Sequence, residues 1–330
     1  MKFTFKKLIP KHQNNKFLYY LKNYCGLIVP NVLYRWQLNR DLKKIACYHR
    51  EYIKMRINYY NRLRPGTATN EGAILLRNLK LGKKQKVYFF DNFELTRYFE
   101  PSYKAGFVFG DLRHVPATPS MVKSRPVDGD NSNSILLNIN KIRHFRFITD
   151  RKNFESKQNI LLSRNNVNQE NRVRFLEMYF GHPLCDIGQT NKGKNNPAWD
   201  VDFMTIAEQL NYKFILCLEG YDVASNLKWV MSSNSIAVMP KPTCETWFME
   251  GRLIANYHYI AIKEDFSDLE ERLNYYINHT DEALQIIDNA HRYIEQFKNK
   301  KREKLISQLV LEKYFHCTQQ KESDYAELFA

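Results

Sequence analysis

Two hydrophobic rhythms alternate along this chain. Over residues 37–64 apolar side chains recur at Leu38, Leu42, Ile45, Ile53 and Ile57 among basic neighbours, a spacing that predicts amphipathic helix ending before Arg64-Pro65-Gly66. Further on the pattern becomes short apolar runs flanked by polar or turn-forming residues, at 86–91 (KVYFFD), 107–109, 160–162, 214–218, 235–239 and 260–262. Each has the length of a buried strand. Residues 93–99 read as a helix or turn, 135–147 as a strand with its flanks, and 204–210 as a short helix. Another helix is expected to start at Glu245, a further one is capped by residues 265–268, and 280–316 read as helical throughout, with FKNKKREK as a solvated face. Helices alternating with buried strands predict an α/β protein.

Residues 213–263 hold the clearest unit. Strand 214–218 runs into Glu219-Gly220, where glycine lets the backbone bend and Asp222 or Ser225 is placed to cap a helix with apolar positions Val223, Leu227 and Val230. Strand 235–239 follows. This strand, turn, helix, strand order is the unit of nucleotide-binding domains. A phosphate at the helix start would meet free backbone N–H groups, with Lys228 one turn inside as its charge partner. A structural crossover with a solvated lysine fits the same pattern.

With 330 residues the chain is long enough for two domains, and 44% hydrophobic with 14% aromatic content excludes a disordered chain. Its six cysteines are scattered with no C-x-x-C pair, which indicates neither a zinc site nor a disulfide framework and fits a reducing compartment. The net charge of +15 is lopsided: residues 1–165 hold 32 Lys and Arg against 11 Asp and Glu, residues 166–330 hold 18 against 24. The basic half calls for an anionic partner: nucleic acid, a lipid surface or an acidic acceptor. Residues 1–64 interleave 15 basic residues with Phe3, Phe5, Phe17, Tyr19, Tyr20, Tyr24, Tyr34 and Trp36. That mixture suits a bilayer interface, single-stranded nucleic acid, or a basic helix pair packed on the protein. Lys22, Asn23, Pro30 and Asn31 interrupt the most apolar window, 17–36, short of the roughly 20 residues of a spanning helix. No secretory leader is evident at the start, so peripheral association is expected.

Candidate chemistry clusters in two places. In the amino half, Gly110-Asp111 closes a short strand and sets a carboxylate where open α/β sheets present ligand-binding residues, with Arg113 and His114 on the same loop; a turn-capping aspartate is the plainer alternative. In Lys123-Ser124-Arg125-Pro126 two cations straddle a serine, an arrangement able to hold an acceptor phosphate or carboxylate. Asp128-Gly129-Asp130 matches the D-x-D pattern of metal-dependent sugar transfer, but with Asn-Ser-Asn-Ser behind it the segment reads as a turn. In the carboxy half, Arg164 follows strand 160–162, and Arg172 and Arg174 open the helix ENRVRFLEMYF. Residues 188–200 (GQTNKGKNNPAWD) read as a mobile loop. Glu245 is placed to accept from ribose hydroxyls or to serve as a helix-start carboxylate.

KFILCLEG, DVASNLKW, the SSNS turn before IAVMP, ETWF and HYIAIKEDFSDLEERL together resemble the carboxy-terminal half of glycosyltransferase family 90, closest over residues 106–311 to its lipopolysaccharide-core branch. The resemblance implies a GT-B-like fold, two Rossmann-like domains facing across a cleft: a basic acceptor domain over 1–155, a donor domain over 156–290, a junction at 149–160, and helical residues 291–330 packing back on the first domain. It implies an inverting transfer from a nucleotide-diphosphate sugar, probed first with UDP-sugars, with no metal and no other cofactor. Asp111 resembles the general base, although the family's eukaryotic members read R-D-x-P where this chain has G-D-L-R-H-V-P. Lys123 and Arg125 resemble the bacterial K-S-R-P element and, with Arg113 and His114, form the expected acceptor site. Arg164 stands where the family shows W-R-G, flanked here by Ser163 and Asn165. Arg164, Arg172, Gly220, Asp222, Ser225, Asn226, Lys228 and Glu245 form the expected donor site. The expected partners are the nucleotide sugar, an anionic glycan such as lipopolysaccharide core, and the cytoplasmic face of an anionic membrane. Transfer to a protein hydroxyl is disfavoured by the unpaired cysteines, and a non-catalytic nucleic-acid module by the acidic second half.

Overall fold

The computed structural model describes residues 15–68 and 72–329, so Phe3 and Phe5 lie outside the described residues. The chain opens with three helices, α1 (Lys16–Ile28), α2 (Asn31–Leu42) and α3 (Arg50–Tyr60). Pro30 separates the first two, since it cannot donate to a continuing helix. Then follow β1 (Ile74–Leu75), α4 (Lys86–Thr96), β2 (Lys104–Phe107), β3 (Ser120–Val122), β4 (Ser124–Pro126), β5 (Ser134–Leu136) and α5 (Lys141–His144). Strands β2, β3 and β5 are parallel, with β1 antiparallel at the edge.

Residues 86–91, expected as a strand, are the first turns of α4. Tyr88, Phe89 and Phe90 are all buried, and Phe90 packs edge-on against Tyr19, Tyr20 and Tyr24 of α1. A helix enclosed on several sides needs no polar stripe, so its short apolar run reads like a strand.

The carboxy half contains β6 (Gln158–Asn165), α6 (Glu170–Tyr179), β7 (Cys185–Gln189), α7 (Ile206–Gln209), β8 (Tyr212–Leu216), α8 (Leu227–Val230), β9 (Ile236–Met239), β10 (Cys244–Thr246), β11 (Ile260–Ala261), α9 (Leu269–Asn278), α10 (Thr280–Lys298) and α11 (Lys300–Cys317). Five strands form a parallel sheet in the order β7-β6-β8-β9-β11. Alternation along each strand divides its side chains between two cores. Phe214, Leu216, Ile236 and Val238 pack with Phe175 and Leu176 of α6 and Leu269 and Leu273 of α9. Ile215, Cys217, Ala237 and Met239 join the other core, which also contains Ile53 and Ile57 of α3, Met121, Ile135 and Leu309. Both faces are therefore covered, which is why these strands read as short apolar runs.

That second core spans both halves of the chain, and a short ladder joins them as well. Residues 245–248 do not start a helix. Residues 244–246 form β10, antiparallel to β4 of the amino half, with Glu245 directly opposite Arg125. The expected helix 280–316 is broken at Asn299, whose side chain accepts from the backbone N–H of Arg302 to cap α11. FKNKKREK is only partly a solvated face, because Phe297 and Glu303 are buried. Glu303 meets the buried Arg56 of α3 at 2.7 Å and accepts from the Trp247 indole at 2.7 Å. The loop over 188–200 is tied down: Asp200 accepts from Gln189 at 2.6 Å, Asn195 donates to the Val167 carbonyl at 2.7 Å, and Trp199 is buried. Among the described residues no helix is long and apolar enough to cross a membrane.

Candidate active site

In a parallel sheet of this order the strand sequence reverses between β6 and β8, and the carboxyl ends there open a crevice. A cavity of about 460 Å³ lies beside it, at the carboxyl ends of β8 and β9, walled by Cys217, Leu218 and Glu219 after β8, Pro240 to Thr243 after β9, Arg174 of α6 and Phe266. Glu219 braces the two loops by accepting from the N–H groups of Thr243 at 3.0 Å and Cys244 at 3.1 Å. Burial raises its carboxyl above the usual range, against the pull of those hydrogen bonds.

Arg172 lies beside this cavity. Among the described residues it donates only to carbonyls, Asn166 at 2.9 Å and Leu218 at 2.8 Å, and its buried Nε has no partner. Gly220 eases the approach, since a Cβ there would sit a tight 3.2 Å from the guanidinium. The glycine thus serves close packing, and its φ is not in the left-handed region. Burial, together with the like charges of Arg143 and Arg113, lowers the Arg172 pKa to about 10. A guanidinium destabilised in this way gains from a bound anion.

The amino half meets the same loop. Arg113 donates to the carbonyls of Tyr221, at 2.6 Å, and Gly220. Lys123, fully buried, lies in contact with both Asp111 and Asp222, and so binds the amino-half carboxylate to the carboxy-half turn. Of the three only Asp111 is open, its side chain 24% exposed against 4% for Asp222 and 1% for Lys123. Tyr88 of α4 donates to Asp111 at 3.0 Å, and Arg143 stands 3.9 Å from its other oxygen. Burial works against ionisation of Asp111, but Lys123 and these neighbours prevail and hold it below the usual aspartate value. Asp222 is displaced upward, by burial and by the charge of Asp111, despite Lys123.

Several expected ligands are engaged elsewhere. Arg125 is wholly buried and spends its donors on Glu245 at 2.8 Å and on the carbonyls of Tyr59 and Ser134, and Glu245 also accepts from the Tyr59 hydroxyl. The pair closes the β4–β10 ladder, so neither group faces the cavity. Lys228 is buried in an ion pair with Glu250, and reaches the cavity only through that carboxylate. Arg164 turns to Asp186 at 2.6 Å, beside Tyr212. Neither Asp222 nor Ser225 caps a helix: α8 is one turn long, begins after Asn226, and has no side-chain cap. That length supplies no useful dipole. Asn226 instead donates to the Leu216 carbonyl at 2.9 Å, Ser225 is half-buried, and His114 is exposed. Asp128-Gly129-Asp130 forms a turn, with Gly129 at φ +83° and Asp130 accepting from the Ser132 N–H.

Tyr88 and Arg143 beside Asp111, and Glu219 and Glu250 in the cavity wall, are residues that sequence spacing did not single out. Glu219 alone had a local signal, its place immediately after a buried strand of an α/β sheet.

Two comparisons with known proteins bear on the chain's family. The model of glycosyl transferase family 90 matches residues 147–326, the segment that carries the doubly wound sheet and its cavity. The O-glucosyltransferase LpsA of Dichelobacter nodosus is 38% identical over 307 residues, covering 92% of this chain and 96% of that protein, and so extends the likeness through the Asp111 loop. The chain belongs to glycosyltransferase family 90, and it is a glycosyltransferase.

Proposed function

We propose that this is an inverting, metal-independent transferase of GT-B type, moving a hexose or pentose from a nucleotide-diphosphate sugar to a hydroxyl of lipopolysaccharide core or a similar anionic glycan. One observation carries the reading: Arg172, with no carboxylate partner among the described residues, meets the Gly220 loop beside the cavity together with Arg113, while Asp111, with Arg143 next to it, is linked to the same loop through Lys123 and Asp222. A diphosphate leaving group would be neutralised by those fixed cations in the role a divalent ion has elsewhere. Asp111, the most open of these carboxylates, would take the acceptor proton as the acceptor oxygen attacks the anomeric carbon.

The basic amino half attracts a phosphorylated or carboxylated acceptor. The name of the LpsA relative makes glucose the first sugar to test, and an anionic glycolipid acceptor would put the enzyme peripherally at the cytoplasmic face of a membrane. A thermal-shift panel of nucleotide sugars and free nucleotides tests the donor assignment. The expected result is a shift with one UDP-sugar and a smaller one with UDP. Stabilisation by none of them, or loss of turnover with EDTA and recovery with magnesium or manganese, overturns the donor or the metal-free part of the reading respectively.

A further inference from the structure

Among the described residues, nothing covers the outer faces of α1 and α2. Phe17, Leu21 and Ile28 follow one stripe of α1, and Val32, Leu33 and Trp36 stand on α2 just past the Pro30 break; all six are exposed, Ile28 to 84%. Large apolar side chains gathered on one face mark an interaction surface. Their surroundings choose the partner. Residues 15–48 carry Lys16, Lys22, Arg35, Arg40, Lys43 and Lys44 against one acidic residue, Asp41, which is buried; Lys44 pairs with Asp41, and Lys22 and Arg35 lie 3.2 and 3.5 Å from Glu94 and Glu100, so the local excess of positive charge rests on Lys16, Arg40 and Lys43. In the sequence before them stand Lys2, Lys6, Lys7 and Lys11 with no acidic residue. An apolar stripe with a tryptophan, rimmed by cations, is complementary to a bilayer surface carrying anionic headgroups.

We infer that the α1–α2 pair is the membrane-docking element, lying in the plane of an anionic lipid surface with Phe17, Leu21, Ile28, Val32, Leu33 and Trp36 inserted among the headgroups. This deepens the peripheral location proposed above and rests on it only for the lipid-linked acceptor. The inner face of α1 is fixed to the body of the enzyme, with Tyr19 donating to Asp91 of α4 at 2.9 Å and Tyr24 packing on Phe90. Two residues away on the same helix, Tyr88 donates to Asp111. Helix α4 therefore sets the distance between the docking face and the proposed base, which suits an acceptor whose lipid end stays in the bilayer.

The test is co-sedimentation of the full chain with phosphatidylcholine vesicles, with and without phosphatidylglycerol. Wild type is expected to pellet with the anionic vesicles and to release in high salt. Leu21→Glu/Leu33→Glu, at exposed sites, should retain the wild-type melting temperature and partition at least about tenfold less. Wild type that stays in the supernatant, a variant that pellets equally, or a wild-type dimer that the variant splits would each overturn the inference, the last by making the patch a subunit interface. Transfer to a lipid-free acceptor should be equal in both proteins. If neither transfers, the acceptor reading fails while the vesicle result stands on its own.

Discussion

Arg125 and Glu245 face each other across the β4–β10 ladder, 120 positions apart in sequence and 2.8 Å apart in space, each fully enclosed. Truncating one member strands the other as a buried charge. Glu245→Ala should cost about 3–5 kcal/mol in urea unfolding. In a folded Glu245→Gln the donor KM should stay unchanged, because the residue does not reach the cavity. A selective loss of donor affinity would restore the ribose-binding role first read from the sequence.

Asp111→Asn should lower kcat by roughly 10²–10⁴-fold and leave nucleotide binding intact. Stopped assays of sugar transfer, alongside a thermal shift with the donor, separate the two. With the Asp111 carboxyl held below the usual aspartate value, the acid limb of kcat/KM should also lie below it, and activity should persist as pH falls until that lowered value is crossed.

Lys123→Met removes the cation between two carboxylates. Asp111 and Asp222 cannot then both ionise easily, so one retains its proton to higher pH. The acid limb of kcat/KM should move upward relative to wild type. An unmoved limb, in a variant that still folds and turns over, would remove Asp111 from the role of base.

Arg172→Ala should weaken nucleotide-sugar binding by roughly ten- to a hundredfold, the range of one charge-assisted hydrogen bond, about 1.5–3 kcal/mol. Calorimetric titration gives the affinity directly. Arg164→Ala serves as the contrast, since Arg164 is turned onto Asp186 and its loss should leave donor affinity unchanged.

Local pattern revealed most where burial was uniform. Strands β6, β8 and β9 were legible because both faces of their sheet are covered, and the site loop was legible because Gly220 follows one of them. Enclosure also misled: α4 is packed against α1 through Phe90, so its apolar run looked like a strand. What remained hidden were partners. The cationic character of Lys228, Arg125 and Arg164 is plain in the sequence, but their pairing with Glu250, Glu245 and Asp186 follows from chain crossings that no window of residues contains. For the same reason Lys123 was expected to face an acceptor, whereas it joins two carboxylates.

The three-residue ladder between β4 and β10 has a mechanical consequence. With a core common to both halves beneath it, the ladder stitches the chain downstream of residues 149–160 to the chain upstream. A protease cut in that junction would leave two fragments still bound as one particle, eluting with the uncut enzyme under native conditions and parting only in denaturant. Substrate entry would then depend on rearrangement of the loops after β8 and β9, with the two halves held in register by the ladder.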